Sequence, residues 1–390
     1  MTEKNMELLQ LIPQSHEKSI YWKAIEQSKI SVFIEKMKQT HQNPAWHGED
    51  DVWTHTQMVC ETLIKLKSYQ NLEPRKQQEV FLAALFHDIG KIPSTKLEDG
   101  IWISPNHTSV SARMVREFLW LEYGFCGTKE QQEFRETICN LVRYHSVPMH
   151  ILEQENPEYR LIRMAANGTL APDFSIELLN ILVEADMRGR ICSDKQQSIE
   201  IVEICRELAL EVGCFQTPIL FPNAFSEYAY LSGRDIFPGQ ELYDDTWGEV
   251  ILLSGLPGTG KDTWIKQHAQ NRPMISLDEL RKQMKISPTE DQTVVVNMAK
   301  EQAKEYLRKK QPFIWNATNI TPMIRGKQLR LFENYKAFVQ IVFLETEWNE
   351  QMRRNKERMD SVPKPAIEKM LRNLVLPERF EAHKVNWKCV

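Results

Sequence analysis

The 390-residue sequence contains no run of about 18 or more apolar residues, the length that a membrane-spanning helix needs. Its first residues, Met1–Asn5, lack the basic and then apolar layout of a secretion signal. The seven cysteines are scattered and no two are spaced C-x-x-C, which argues against a disulfide framework and against a cysteine zinc site. Internal repeats and low-complexity tracts are also missing. These absences predict a cytoplasmic protein with reduced, mostly buried thiols.

The overall composition is that of an ordinary globular protein, with 42% hydrophobic and 26% charged residues. The net charge of −4 is unevenly distributed: residues 251–390 hold 25 Lys and Arg against 16 Asp and Glu, and residues 1–250 hold 24 against 37. We expect the C-terminal part to attract a polyanion and the N-terminal part to need bound cations to hold phosphate. The alternative is that surface charge differs between domains without a function.

Three segments follow from the residue pattern. Residues 1–215 have apolar residues at helical spacing and no alternating strand pattern, which predicts an all-α domain. Residues 216–246 contain Pro, Gly and interleaved aromatics, which predicts a partly packed linker. Residues 247–390 alternate apolar strand runs (250–253, 313–315 and 338–344) with helical stretches such as 294–309. This alternation predicts an α/β domain with a parallel sheet.

A glycine-rich loop, Gly255–Lys261 (GLPGTGK), lies between a predicted strand and a helix predicted from Lys261 to about Gln270. Strand, glycine loop and helix in this order are typical of a P-loop, in which backbone N–H groups and the helix N-terminus hold phosphates. Lys261 is expected to pair with the outer phosphates. The predicted nucleotide-binding residues are Gly255, Pro257, Gly258, Thr259, Gly260, Lys261, Asp262 and Thr263.

Two charged pairs follow the loop. Asp278 and Arg281 lie one helical turn apart, after a short apolar run. Asp278 is either a general base for an attacking hydroxyl or a helix N-cap. Arg354 and Arg358, four residues apart on a predicted helix, either clamp a transferring phosphoryl group or belong to a solvated basic helix.

The order of these segments resembles the 5′-hydroxyl polynucleotide kinase family of the phage and animal end-healing type. The matching segments are 255–261, 276–281, Thr318–Asn319 followed by Arg325, and 354–358. The resemblance implies a kinase that uses ATP or another NTP with Mg²⁺. It further implies that Asp278 is the general base on the 5′-hydroxyl, and that Arg281 contacts the 3′-phosphate of the acceptor nucleotide. Arg354 and Arg358 stabilise the transition state by the same resemblance, and Arg325 is taken as a further phosphate contact.

One position departs from the P-loop pattern. The residue after the lysine is Asp262, where a Ser or Thr would ligate Mg²⁺, and Thr263 cannot simply replace it because one helical step rotates the side chain by about 100°. The kinase family often has an acidic residue before Thr318, where this sequence has Ala317. We hypothesise that Asp262 supplies the missing carboxylate beside Mg²⁺.

A second set of chemically active residues surrounds the adjacent pair His87-Asp88, within Phe86–Lys91. Imidazoles and carboxylates in this number suit a borderline divalent ion such as Mn²⁺, Co²⁺, Ni²⁺, Fe²⁺ or Zn²⁺. A first ion is predicted at His55, His87, Asp88 and Asp186. His107 and His145 either add a second ion, with Asp88 bridging, or have other roles.

Lys91 either supports the phosphate or extends from its helix towards solvent. The other histidines (16, 41, 47, 150, 268 and 383) are interpreted as structural.

The order His, His-Asp, His, His, Asp resembles the HD phosphohydrolase superfamily over roughly residues 45–190. It is especially similar to the HD domains fused to tRNA-end-synthesising nucleotidyltransferases, which act on 2′,3′-cyclic phosphates and phosphomonoesters. The resemblance implies a metal-dependent hydrolase of phosphate esters, in which bound ions hold phosphate and activate an attacking water.

The two resemblances together are similar to a bacterial fusion of an HD phosphohydrolase with a polynucleotide kinase. They imply an enzyme that prepares RNA or DNA ends for joining, with an NTP as donor, and they are compatible with a ligase acting downstream and with a homo-oligomer. One alternative is a small-molecule or nucleotide kinase fused to an HD nucleotide hydrolase. Another is a nucleotide-sensing regulator, which the altered Mg²⁺ surroundings at Asp262 and Ala317 would suit.

Overall fold

The computed structural model describes residues 2–14, 17, 19–269, 271–287 and 289–390. The chain forms two compact units, one of residues 1–125 and 130–219 and the other of residues 126–129 and 220–390. The predicted linker of residues 216–246 is divided between them, since residues 216–219 belong to the first unit and residues 220–246 to the second.

The first unit is helical. Its α-helices are α1 (Glu3–Leu9), α2 (Trp22–Glu26), α3 (Ser31–Lys38), α4 (Val52–Leu63), α5 (Lys67–Gln70), α6 (Pro74–Phe86), α7 (Lys91–Ser94), α8 (His107–Leu121), α9 (Lys129–Tyr144), α10 (Pro157–Ala165), α11 (Ile176–Gly189) and α12 (Lys195–Val212). Short 3₁₀ segments span Pro148–Glu153 and Ala166–Thr169.

The helices that position the candidate metal residues form the middle of this unit. Helix α4 packs against α6 and α11. Its start is fixed by Asp51, whose carboxylate accepts hydrogen bonds from the backbone N–H groups of Trp53 and Thr54. Ser175 caps α11 in the same way through Leu178 N–H. The apolar faces of these helices are buried, so hydrophobic burial fixes their relative positions.

A small β-hairpin interrupts the helices, which the sequence pattern did not predict. Strands β1 (Lys96–Glu98) and β2 (Ile101–Ile103) pair antiparallel, with Leu97 opposite Trp102. Asp99 and Gly100 connect them with positive φ angles of 51° and 79°, as in the tight turns that suit hairpins. Three-residue strands are too short for an alternating pattern to be visible in the sequence.

The second unit begins with α13 (Ala224–Leu231), within the predicted linker, and continues as an α/β domain. Its further elements are β3 (Glu249–Ser254), α14 (Lys261–His268), β4 (Met274–Ser276), α15 (Leu277–Met284), α16 (Thr293–Arg308), β5 (Ile314–Asn316), α17 (Pro322–Asn334), β6 (Phe338–Glu345), α18 (Trp348–Glu357), α19 (Lys364–Arg372), a 3₁₀ turn (Arg379–Glu381) and β7 (Lys384–Cys389).

The five strands form one parallel sheet in the order β4-β5-β3-β6-β7, which confirms the predicted parallel α/β architecture. Strand β3 is central, with β5 on one side and β6 on the other. The glycine loop leaves its C-terminal end, where the direction of winding changes. Ligands of open α/β sheets bind at such a position.

The ends of two predicted helices differ from expectation. Helix α14 ends at His268, and Gln270, where the sequence placed its end, lies outside the described residues. Helix α18 ends at Glu357, so that Arg358 is its C-cap with an extended backbone. Among the residues that the model describes, no helix combines the length and hydropathy needed to cross a bilayer.

Candidate functional site

The four residues predicted to hold a first ion lie together in the core of the helical unit. His55 lies within α4, His87 is the C-cap of α6, Asp88 follows it, and Asp186 lies on α11. His55 Nε2 lies 3.1 Å from Asp186 Oδ1 and 3.3 Å from His87 Nε2. His87 Nε2 lies 3.2 Å from Asp88 Oδ2. All four side chains are buried.

The two histidines whose role was left open lie on the other oxygen of the same carboxylate. His107 is the first residue of α8, and His145 follows the last residue of α9. Their Nε2 atoms lie 3.4 and 3.8 Å from Asp88 Oδ1. Asp88 therefore lies between two pairs of histidines, His55 with His87 and His107 with His145. Together with Asp88, each pair brings its ligand atoms close enough to hold a metal ion.

Backbone carbonyls fix the tautomers of three of these imidazoles. The Nδ1–H groups donate to the carbonyl three residues earlier: His87 to Ala84 O at 2.8 Å, His107 to Ser104 O at 2.9 Å and His145 to Val142 O at 2.7 Å. A carbonyl can only accept, so Nδ1 is protonated, and in the neutral ring Nε2 carries the lone pair. Each of these Nε2 lone pairs is thus available to a metal ion.

The arrangement fits a divalent cation. The short gap between His87 Nε2 and the Asp88 carboxylate holds either a proton on Nε2 or a metal ion, because two lone pairs alone would repel each other. Burial lowers the pKa of His87, but Asp88 outweighs it and raises this pKa, so the site favours a positive charge between the two groups. Metal–nitrogen bonds of about 2.1 Å would place neighbouring ligand atoms about 3.0–3.4 Å apart, close to the separations observed. Moreover, Asp88 Oδ1 is buried, and no described residue donates a hydrogen bond to it.

The carboxylates of the cluster remain ionised because cations lie against them. Burial raises the pKa of Asp88, but Lys91 and His87 outweigh it and hold this pKa well below its usual value. Lys91 Nζ lies 2.7 Å from Asp88 Oδ2. Burial is likewise outweighed at Asp186, where Arg190 lies 2.8 Å from Oδ2 and lowers the pKa.

Lys91 is buried rather than extended into solvent. Its Nζ donates to Gln42 Oε1 at 2.6 Å as well as contacting Asp88. This position agrees with a role beside the phosphate and rules out the alternative in which Lys91 extends from its helix towards solvent.

In the second unit, the P-loop has the backbone that phosphate binding requires. Gly258 and Gly260 both have a φ of 84°, in the left-handed region that favours glycine. A Cβ on Gly258 would lie 2.8 Å from the carbonyl oxygen of Gln351 on α18. Helix α18 therefore packs directly over the loop, where Gln351 Nε2 also donates to Pro257 O at 2.9 Å.

Lys261 folds back onto its own loop. Its Nζ donates to Gly255 O and to Leu256 O, both at 2.9 Å. Burial lowers the pKa of Lys261 to about 8. The nearby charges of Asp262 and Asp278 oppose that shift, and Arg358 reinforces it. The predicted kinase residues Asp278 and Arg358 therefore lie within electrostatic range of the P-loop lysine.

Asp278 is not the N-cap of its helix. That position belongs to Ser276, whose hydroxyl accepts from Glu279 N–H. The Asp278 carboxylate is 63% exposed and forms an ion pair with Arg281. Arg281 Nε also donates to Gln292 Oε1 at 2.7 Å. Because Asp278 is exposed and does not cap the helix, its carboxylate is accessible to a substrate.

The predicted arginine pair does not share one helical face, because α18 ends at Glu357 and Arg358 lies beyond it. Arg354 remains on the helix, with Nε 2.6 Å from Glu350 Oε1 and Nη1 3.3 Å from the point where a Cβ on Gly260 would lie. Arg354 thus lies against the P-loop, and Arg358, in the turn after the helix, lies within electrostatic range of Lys261.

Asp262 connects the start of α14 to the end of β5. It is an exposed residue in the first turn of α14, and its Oδ1 accepts from Asn316 Nδ2 at 2.9 Å. Asn316 is the last residue of β5 and directly precedes Ala317. The Asp262 carboxylate therefore reaches the strand end at which the kinase family often has an acidic residue. Thr263, by contrast, is simply an exposed residue of the same turn.

Arg325 is in the wrong place for its predicted phosphate contact. The side chain is fully buried, and its guanidinium makes a bidentate pair with Glu381 at 2.7 Å. The remaining donor group binds the carbonyl oxygens of Asn319 and Val375. Arg325 therefore holds α17 to the segments around it, with four of its five N–H donors bound inside the protein and its side chain fully buried.

Comparison with known proteins agrees with both centres. Residues 52–169 match the HD domain family, and residues 250–377 match a family of AAA domains. The chain thus joins an HD domain to a P-loop AAA domain. These two matches cover separate parts of the chain and support a hydrolase-type region and a kinase-like P-loop region.

Two similar curated proteins are the heterogeneous nuclear ribonucleoprotein U-like protein 2 of mouse and of human, which are 27% and 28% identical to this chain over 151 residues. Each match covers 34% of this chain and 20% of the relative. The match thus spans about a fifth of the length of these relatives.

Around the candidate metal cluster, sequence reasoning missed Glu49 and His47. Glu49 Oε1 lies 2.7 Å from His55 Nδ1 and 2.9 Å from His47 Nδ1, and its Oε2 accepts from Ile191 N–H. Burial raises the pKa of Glu49, but its hydrogen bonds to His47 and His55 outweigh this and leave the pKa well below its usual value. Burial lowers the pKa of His47 to about 4 and that of His145 to about 3.

His47, which the sequence left as structural, thus belongs to a third possible ligand group with Glu49 and His55. Arg190 was also missed, although its position four residues after Asp186 places it one helical turn away. Arg188, two residues before Arg190, instead pairs with Glu184. His16 lies outside the described residues.

Proposed function

We propose that this chain repairs the ends of nucleic acids. In this proposal the HD domain opens a 2′,3′-cyclic phosphate and removes the remaining 2′- or 3′-phosphate. The AAA domain transfers the γ-phosphate of an NTP to a 5′-hydroxyl. The observation that supports it most is the presence, in one chain, of a buried His/Asp cluster and of a P-loop faced by Asp278, Arg354 and Arg358.

The HD residues are suited to hydrolysis of phosphate esters. His55, His87, Asp88 and Asp186 would hold one divalent ion, and His107 and His145 would hold a second with Asp88 between them. When bound, such ions supply positive charge for the phosphoryl group and make water more acidic. Lys91 adds a positive charge beside Asp88. Because this charge is buried away from bulk water, its attraction for a phosphate is stronger than it would be at the surface.

The residues around the P-loop are suited to phosphoryl transfer. The backbone N–H groups of Gly258–Lys261 would surround the outer phosphates of the NTP. Asp278 would accept the proton of the 5′-hydroxyl, and Arg281 would leave its ion pair with Asp278 to bind a phosphate of the acceptor. Arg354 and Arg358 would stabilise the charge on the transferring group. Asp262, held by Asn316, would bind Mg²⁺.

Two further observations support a nucleic acid as the substrate. The excess of Lys and Arg in residues 251–390 favours a polyanion. The similar proteins of mouse and human are named as ribonucleoproteins, which favours RNA as the polymer.

A single assay tests both halves of the proposal. The full chain is incubated with ATP, Mg²⁺, Mn²⁺ and an oligoribonucleotide that has a 5′-hydroxyl and a 2′,3′-cyclic phosphate. We expect the 5′ end to gain the label of γ-labelled ATP and the 3′ end to become a free hydroxyl. A 5′ end that takes no label would favour a small-molecule kinase, and transfer to no acceptor at all would favour a nucleotide sensor. A cyclic phosphate that stays intact would contradict the proposed role of the HD domain.

A further inference from the structure

A pair of stacked aromatic rings lies at the surface of the helical unit. The ring centroids of His41 and Trp102 are 5.1 Å apart, and their planes meet at 28°. His41 is exposed and Trp102 is half-buried. Neither residue has a part in the metal cluster described above. A stacked pair that solvent can reach is a surface on which a further planar ring can stack.

His41 is connected to the HD cluster through its neighbour in sequence. Gln42 receives the Lys91 Nζ at 2.6 Å, and Lys91 lies 2.7 Å from Asp88 Oδ2. The backbone of His41 also forms a β-bridge with Asp51, the N-cap of α4. His55 lies one helical turn further along α4, which is about 5.4 Å. His41 is therefore linked through its backbone to the segments that carry Lys91's partner Gln42 and the start of α4.

Trp102 is connected to the opposite side of the cluster. It lies on β2, two residues before Ser104, whose carbonyl accepts from His107 Nδ1 at 2.9 Å. The Ser104 hydroxyl is 2.8 Å from that of Thr95, which ties the two ends of the hairpin together. The stacked pair thus joins the segment before His55 to the segment before His107.

The surroundings of the pair suit a ring without negative charge. Leu97, directly opposite Trp102 in the hairpin register and therefore on the same face, is 57% exposed. The exposed charges nearby in sequence are mainly acidic (Asp50, Glu98 and Asp99, against Lys96). An acidic rim does not attract a long polyanion. It is compatible with the single nucleobase that lies next to a phosphate at the end of a strand.

We propose that His41, Trp102 and Leu97 form a stacking platform for the nucleobase of the nucleotide whose phosphate is hydrolysed in the HD domain. This inference rests on the proposed function and extends it, because it names the residues that bind the base of the nucleotide whose phosphate the HD domain hydrolyses. The base of the terminal nucleotide extends the His41–Trp102 stack while its phosphate reaches Lys91 and the ligand cluster.

The test compares a substrate that has a base with one that has none. The full chain, loaded with Mn²⁺, is assayed with adenosine 2′,3′-cyclic phosphate and with methyl riboside 2′,3′-cyclic phosphate. For Trp102→Ala we expect the KM for the adenosine substrate to rise roughly tenfold, because base–aromatic stacking is lost. The KM for the methyl riboside and both kcat values stay unchanged. Trp102→Phe keeps a stacking ring and retains most of the preference for the adenosine substrate.

The matched control is Tyr21→Ala, which removes an aromatic side chain that is 75% exposed in the same unit but outside the platform. It leaves both substrates unaffected. Equal KM values for the two substrates in the wild-type chain, or an unchanged preference for adenosine in Trp102→Ala and in His41→Ala, would overturn the platform.

Failure of the proposed function gives a different result, namely a wild-type chain that hydrolyses neither substrate. In that case the platform is measured by calorimetry, with adenosine 2′-phosphate and methyl riboside 2-phosphate as ligands. Weaker binding of the adenosine ligand alone to Trp102→Ala supports the platform, and equal binding of both ligands to the wild type refutes it.

Discussion

At the scale of single residues, Glu49 orients the imidazole on which the first ion site depends. It is buried and ionised, and it lies against the Nδ1 atoms of His55 and His47. A carboxylate at Nδ1 keeps the proton there and leaves the Nε2 lone pair for the metal ion. Glu49 therefore acts as a positioning residue for His55, although it does not belong to the predicted ligand set.

We expect Glu49→Gln to weaken metal binding by about 10–100-fold, because the amide removes the charge that fixes the His55 tautomer. The measurement is calorimetric titration of the chelator-treated chain with Mn²⁺. Glu35→Gln, which changes a carboxylate that is 72% exposed in the same unit, is the control and leaves the affinity unchanged. An equally unchanged affinity in Glu49→Gln would show that His55 is oriented by its packing alone.

The candidate metal residues could be predicted from the sequence because imidazole and carboxylate groups are metal ligands by their chemical nature. Their partners could not be predicted, since a glutamate or an arginine has the same appearance in a sequence whether it is buried beside an imidazole or solvated. Arg325 shows the opposite case: its position after Thr318–Asn319 indicated a phosphate contact, but the side chain is fully buried and its guanidinium binds Glu381 and two carbonyls.

At the scale of elements, the strands of the second unit were predictable where they are buried on both faces. Strands β3, β5 and β6 appear as continuous apolar runs in the sequence, as expected for a parallel sheet. Strand β7 (Lys384–Cys389) was missed because it lies at the edge of the sheet and contains polar residues. The hairpin of β1 and β2 was missed because its strands are very short, and with it the Trp102 surface.

The start of α14 and the end of β5 meet at Asp262 and Asn316, and this meeting gives a prediction about Mg²⁺. We expect Asp262→Ala to raise the Mg²⁺ concentration needed for kinase activity far more than the concentration of ATP needed, because a carboxylate ligand is lost while the P-loop amides remain. Kinase assays with Mg²⁺ and ATP varied independently measure this.

The control for Asp262→Ala is Glu301→Ala, which removes a carboxylate that is 61% exposed on α16 of the same unit. It should leave both requirements unchanged. An unaltered Mg²⁺ optimum in Asp262→Ala would refute the hypothesis that Asp262 replaces the acidic residue often found at the position of Ala317.

At the scale of the whole molecule, two compact units each hold a complete set of candidate groups for one reaction. The chemical steps are therefore expected to be separable by mutation. His87→Ala should reduce the phosphatase activity by at least about 100-fold and leave the kinase activity within about twofold, because only the HD ligand set is changed. Lys261→Ala should do the reverse, since it removes the cation at the outer phosphates.

The two activities are measured on the same oligonucleotide, and the fold of each variant is checked by circular dichroism and thermal unfolding. Asp88→Ala and Asp278→Ala serve as second variants for the two domains. Loss of both activities in any one variant that remains folded would contradict two independent centres.

The carbonyl groups that hold His87 and His145 belong to the last turns of α6 and α9, where main-chain oxygens have no partner within the helix. The helix ends thus fix the metal-binding tautomer of His87 and His145 before an ion binds. Fraying of either end would release the ring and let its proton move to the other nitrogen. Loss of the ion is then coupled to unfolding of the helix end. Backbone amides in the last turns of α6 and α9 should therefore exchange hydrogen more slowly when metal is bound, which can be measured without a substrate.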